Sequence, residues 1–198
     1  MLEALTGSGL AAAAGLNAYI PLVAVGLLSR YTDWIALPPD WQWLENNWVL
    51  GILGALLVVE VVADKVPVVD HINDMIGTVV RPTAGGLAFG ATADATTLSV
   101  PNPSDGETTW GPLLAGAAIA LVVHAIKATV RPVANVTTAG TAAPVVSTGE
   151  DLSSVAMSLI AIVLPILVLV LFAMFLAVAW WLWRRRSRRR HATQQHVS

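Results

Sequence analysis

Four ionisable residues lie inside apolar stretches of this 198-residue chain, at spacings that let them act in pairs. Glu60 and Asp64 are four apart, so on a helix both carboxylates project from one face. His124 and Lys127 are three apart and share a face for the same reason. Glu60 comes twelve residues after Trp48 and His124 fourteen after Trp110, about 18 and 21 Å along a helix. Arg81 and Arg131 each stand in a Val-Arg-Pro triplet. A charge at the centre of a bilayer costs about 2.5–3.5 kcal/mol on insertion scales, so such groups persist when they pair or handle an ion or proton. Glu60, Asp64, His124, Lys127, Arg81 and Arg131 are therefore the candidate transport or charge-pairing residues. For Asp64, Lys65 and Lys127 the competing reading is a place at the headgroups, with snorkelling stems. Asn17, Tyr19 and Pro21 read as a packing kink.

Other chemistry finds less support. Glu60, Asp64, Asp70, His71, Asp74 and His124 are donors that divalent ions accept, but no His-x3-His or Glu-x-x-His spacing occurs, and no metal is expected. Walker loops, nucleophile elbows and zinc-protease motifs are absent. Gly85-Gly86-Leu87-Ala88-Phe89-Gly90 lacks the spacing of a nucleotide fingerprint. The chain does not read as an enzyme and calls for no cofactor. It has no cysteine, hence no disulfide or thiolate site.

The elements that must carry these residues are membrane helices. Hydrophobic residues make up 56% of the chain and charged ones 12%, about half the usual charge of a soluble domain; mean hydropathy is +0.68. Six of the eleven basic residues fall between Arg184 and Arg190. Residues 1–183 form an acidic transmembrane helical domain and 184–198 a basic cytoplasmic tail. The amino terminus has Glu3 and no early basic residue, unlike a cleaved signal peptide. Ala4–Ser29, Trp48–Val62, Trp110–Ile126 and Leu152–Trp183 read as spans, the last being 32 residues or about 48 Å, long enough to tilt or kink at Pro165.

Basic residues set the orientation. Arg184, Arg185, Arg186, Arg188, Arg189 and Arg190 should stay cytoplasmic and bind anionic lipid, at about 1 kcal/mol each near the surface. Placing Lys65, Lys127 and Arg131 on that side requires return legs near residues 73–93 and 131–149, built of Gly, Ala, Thr and Val. Either Arg81 then lies within the membrane or its element is a half-helix. Glu150 and Asp151 fall outside, with Trp34, Trp41, Trp43, Trp48 and Trp110 at the outer interface and Trp180, Trp181 and Trp183 at the inner. The fold expected is all-α: a polytopic membrane helix bundle of about six membrane-embedded segments, in the plasma (inner) membrane, multi-pass, with a cytoplasmic C-terminus. Labels at 36, 104 and 149 should react from outside, and at 68 and 128 from inside.

The two middle hairpins resemble each other. Each opens with Trp (Trp48, Trp110) and passes through Val-Arg-Pro into a small-residue segment. Such a repeat would be parallel, as some transporters use; chance in an Ala/Val-rich chain is the alternative.

Glu60-Val61-Val62-Ala63-Asp64-Lys65-Val66-Pro67, Gly15-Leu16-Asn17-Ala18-Tyr19-Ile20-Pro21-Leu22 and the pair Glu150-Asp151 resemble motifs of a family of small bacterial membrane proteins, the domain of unknown function 4126. The similarity runs to about residue 180. Asn17 stands where a basic residue is expected in many relatives. The resemblance implies a membrane protein and brings no activity.

Two functions fit. The first is a small transporter or channel subunit for an ion or small solute, using the paired charges. The second is a structural or accessory membrane protein bound to a larger complex or to lipids. Partners are the bilayer, anionic lipid at the tail, and either further copies or a larger membrane complex, with no nucleic acid.

Overall fold

In the computed structural model the described residues are 2–93, 110–138, 141, 143–168, 170, 173 and 174. They form six α-helices: α1 (Leu2–Leu16), α2 (Tyr19–Tyr31), α3 (Asn47–Ala63), α4 (Pro67–Ala93), α5 (Trp110–Thr137) and α6 (Ala143–Val163), with a 3₁₀ helix, Pro39–Glu45, before α3. No strand occurs among the described residues, so the all-α expectation stands.

Small side chains set the packing. α1 is Ala- and Gly-rich and buries Leu10 through Gly15 without interruption, so other helices cover it on every side. α4 and α5 touch backbone to backbone: a Cβ on Gly116 would collide with the Gly85 carbonyl oxygen, and one on Gly85 would stand 2.9 Å from the Gly116 oxygen. Only glycine permits that approach.

Cross-helix neighbours give the directions. Gly7 faces Phe89 and Thr92 while Gly85 lies by Ala11, so α1 and α4 are antiparallel. Gly90 meets Leu113 and Gly77 meets His124, so α5 runs with α1. Gly9 meets Ala161, and Ala13 bonds to Ser154, so α6 runs with α4. α2 turns back: Gly26 lies against Leu44 and Leu50, and Trp41, just beyond α2, packs on Gly90 near the end of α4. α1 and α2 are thus a helical hairpin whose tip is Asn17-Ala18. Both arms open at the bundle end that carries Trp41, Trp48 and Trp110, the tryptophan end.

The tip has a local cause. Pro21 has no N–H to give the Asn17 carbonyl, and its ring clashes with that carbonyl in a continuous helix. In the first turn of a new helix Pro is tolerated. Asn17 Oδ1 then accepts the free N–H groups of Tyr19 (3.1 Å) and Ile20 (3.3 Å). What read as a packing kink is a full reversal, and the expected crossing Ala4–Ser29 is two arms of 15 and 13 residues, about 22 and 20 Å long. Each is shorter than the roughly 30 Å hydrocarbon thickness.

Other expectations change too. Among the described residues two helical stretches, Trp110–Arg131 and Ala143–Val163, are long and apolar enough to cross a membrane, and a third is if the 3₁₀ helix and α3, bent by 58°, count together. This is fewer than the six embedded segments expected. Residues 131–149 are no return leg: Arg131 lies in α5, which runs to Thr137, and α6 begins at Ala143. Val-Arg-Pro does not link two helices of a hairpin, because each triplet is inside a helix, α4 or α5. Residues 73–93 lie in one helix, α4, with Pro82 inside it, and α4 is not among the stretches apolar enough to cross. α6 breaks at Leu164, where Pro165 cannot donate to Ala161, and helix resumes at 165–168. The tail, Trp180, Trp181, Trp183 and residue 104 lie outside the described residues.

Candidate functional site

The candidate side chains converge where the α1–α2 tip meets α3, α4, α5 and α6 away from the tryptophan end. α3 brings Glu60 and Asp64 one turn apart, with Asp64 capping its last turn. α4 brings Asn73, Asp74 and Arg81, α5 brings His124, Lys127 and Arg131, and α6 brings Glu150 and Asp151 from about two turns inside its start. All six candidate residues come together in this one cluster.

Arg81 is its hub and is fully buried, at 0% exposure. Its Nε and Nη2 both donate to Glu60 Oε1, at 3.3 and 3.1 Å. Nη1 reaches Asp74 Oδ1 at 3.2 Å and His124 Nδ1 at 2.8 Å. A guanidinium offers no lone pair, so His124 Nδ1 must accept, which places a neutral imidazole's proton on Nε2. That nitrogen lies 3.3 Å from Thr78 Oγ1, which donates to the Asp74 carbonyl at 3.1 Å.

Asp64 is 1% exposed and gathers three cations on Oδ2: Lys127 Nζ at 3.1 Å, Arg131 Nη2 at 3.1 Å and Arg81 Nη2 at 3.7 Å. Its other oxygen takes the Asn73 amide at 2.6 Å. Glu150 Oε2 holds Arg131 at 2.7 Å and Lys127 at 3.1 Å. Asp151 accepts from Asn17 at 2.9 Å and stands 3.7 Å from Lys65. The buried Asp64 and Lys127 are thus cluster members, and headgroup snorkelling fits only the partly exposed Lys65. Glu150 and Asp151 lie beside Lys65 and Arg131, where orientation logic had put the bundle between them.

The hairpin tip belongs to the same network. Ending α1 frees the Leu16 carbonyl, and starting α2 frees the Ala18 N–H. Lys127 Nζ donates to Leu16 O at 2.9 Å, and Ala18 N–H donates to Glu60 Oε2 at 3.2 Å. Each half-helix therefore meets the charge its dipole favours: a cation at the C-terminal end of α1, an anion at the N-terminal end of α2.

The two Val-Arg-Pro triplets are related as well, in a different sense from a parallel repeat. Ile76, Val80, Arg81 and Pro82 match Ile126, Val130, Arg131 and Pro132, on neighbouring antiparallel helices. In this register Asp74 corresponds to His124. Arg81 pairs with His124, and Arg131 comes within 3.8 Å of Asp74, so the contacts are reciprocal about a local two-fold.

Sequence reasoning missed Asn17, Asn73, Asp74, Thr78 and the pair Glu150-Asp151 as parts of this site. Pro21, four residues after Asn17, was the available signal for the tip. For Glu150 it was the short distance from Arg131, too short for a full return. Among the described residues no group of three or more His, Asp or Glu is arranged to hold a metal ion.

Among the described residues the fold and site define an all-helical protein, with apolar helices of membrane-crossing length, organised around a buried ionic cluster. The family described as Domain of unknown function (DUF4126) matches residues 4–185, and the chain belongs to it. No curated protein and no solved structure matches the chain.

Proposed function

We propose that this is a multi-pass protein of the plasma (inner) membrane that serves as a small transporter or channel subunit for an ion or small solute. The observation that carries the reading is the α1–α2 tip: a broken helix pair with its freed backbone groups on Lys127 and Glu60. In a bilayer, irregular backbone is tolerated only when buried in protein or lining a watery path. Transporters use half-helix ends of this kind to hold ions and charged groups. On this reading α1 and α2 dip in and return, and α3 to α6 cross, which replaces the six-crossing scheme. Residues Arg184 to Arg190 hold the C-terminus in the cytoplasm and engage anionic lipid. Because α6 runs toward the tryptophan end, that end becomes the cytoplasmic one, and the cluster lies toward the opposite face. Lys65, Lys127 and Arg131 are neutralised by acids and no longer act as topology signals.

The test is flux across proteoliposomes over a panel of ions and solutes. Flux should appear with the native chain and fall at least tenfold in Glu60→Gln; its absence with folded protein ends the reading. A second reading, a structural or accessory protein, draws support from the dense ion pairing, which also suits a lock between helices. It predicts a stable partner in mild-detergent pull-downs, lost on removing the tail, and native levels of partner binding in Glu60→Gln.

A further inference from the structure

Of α3 only Glu60 is buried. That side chain and Asp64 pin the last turn to the cluster, and the turns before it leave a gap toward α2 and α6. The gap is an apolar groove of about 190 Å³, lined by Ile20, Val23 and Ala24 of α2, Leu57 of α3, and Val155 and Leu159 of α6. Ser158 also borders it, with its hydroxyl donated to the Ser154 carbonyl at 2.8 Å. Val155 and Leu159 are exposed, so the groove opens on the flank of the bundle.

A pair of opposite charges stands at the cluster end of the same two helices. Lys65 follows Leu57 by eight residues and Asp151 precedes Leu159 by eight, about 12 Å along either helix. The two are 3.7 Å apart, with side chains 36% and 15% exposed, and 3.7 Å is beyond hydrogen-bond reach. Lys65 Nζ donates to Val61 O at 3.0 Å, which uses one of an ammonium's three donors. Asp151 Oδ1 holds Asn17, and among the described residues Oδ2 faces Lys65 alone. Arg81, Lys127 and Arg131, by contrast, are buried against carboxylates at 2.7 to 3.1 Å.

We infer that the groove holds an acyl chain of a phospholipid with a primary-ammonium headgroup, phosphatidylethanolamine, whose phosphate takes Lys65 and whose ammonium takes Asp151. The charges match in kind and in number. A net-neutral pair meets a net-neutral headgroup, in which an ethylene link sets phosphate and ammonium side by side. Phosphatidylcholine has the phosphate, but its quaternary ammonium has no N–H to give Asp151. Phosphatidylglycerol has no cation at all. An apolar slot with a few placed polar groups at one end is also the usual build of a small-ligand site. On the topology proposed above, this mouth lies in the leaflet opposite the arginine tail, so the two lipid contacts are separate. The inference rests on the membrane part of the reading above and is indifferent to transport.

Native mass spectrometry of the full chain tests the site, with the protein released from micelles doped with equal amounts of phosphatidylethanolamine, phosphatidylcholine and phosphatidylglycerol. The native chain should retain phosphatidylethanolamine about tenfold over phosphatidylcholine, the worth of one charged hydrogen bond. Lys65→Gln should erase most of that preference, and Ala24→Phe, which fills the groove, should cut phosphatidylethanolamine retention by a similar factor. Phosphatidylglycerol held by the tail should be unmoved by either change. Equal retention of the two neutral lipids by the native chain overturns the site. So does a preference that survives Lys65→Gln, or phosphatidylglycerol lost with Lys65→Gln as fully as phosphatidylethanolamine. If Ala24→Phe fails to fold, Lys65→Gln, at a partly exposed position, decides alone. A chain that stays in solution without detergent removes the membrane reading and this site together, whereas a detergent-dependent chain without the preference removes the site alone.

Discussion

Glu60 and Arg81 are joined through one carboxylate oxygen, which accepts both Nε and Nη2, while the other Glu60 oxygen holds the Ala18 N–H. One side chain of α3 therefore ties α4 to the tip of the α1–α2 hairpin. Removing one partner of a buried pair leaves the other without compensation and costs about 3–5 kcal/mol, whereas replacing both by apolar residues is often near neutral. Glu60→Leu should lose about that much stability, and Glu60→Leu with Arg81→Met should recover a large part. Unfolding in denaturant, read as a double-mutant cycle, measures the coupling.

The tip itself is open to a milder test. Asn17→Leu removes the acceptor for two N–H groups of α2 and the donor to Asp151. Loss of a capping side chain costs about 0.5–2 kcal/mol, so the variant should fold with a lowered melting point. Faster hydrogen exchange at Tyr19 and Ile20 should accompany it.

Gly116 and Gly85 allow α4 and α5 to touch. Gly116→Leu has no room for its side chain and should destabilise the chain by at least the 1–3 kcal/mol typical of overpacking. Gly51→Leu, where an added carbon meets nothing within 4 Å, should be close to neutral in the same unfolding assay.

Topology distinguishes this fold from the scheme read off charge alone. Single cysteines at Ala36 and Gly149 should label from opposite sides of a sealed vesicle, and those at Val66 and Gly149 from the same side. The native chain, free of cysteine, gives no background.

Much of the site was legible because the price of charge in an apolar stretch singles out residues one by one. Glu60, Asp64, His124 and Lys127 needed only their spacing and surroundings. Their partners were harder. Asp74, Glu150 and Asp151 sit in polar runs where an acid is unremarkable, and only the tertiary fold brings them to Arg81, Arg131 and Lys65. On the proposed topology, the rule that basic residues mark the cytoplasmic side misleads for a physical reason. Lys127 and Arg131 are paired with Asp64 and Glu150, so on that topology they do not report the membrane potential or the lipid surface. The first apolar stretch misled too, because hydropathy measures how greasy Ala4–Ser29 is and carries no sign of a reversal. The proline rule at Pro21 held that information.

A loop that enters and leaves by one face is neutral in parity: threading of everything after Trp48 is the same with or without it. Its tip also depends on residues made later, since Leu16 and Ala18 expose bare backbone until Lys127 and Glu60 arrive. On the proposed topology the amino-terminal arms must therefore wait at the membrane surface and seat last, once α3 and α5 have formed the polar socket that receives them.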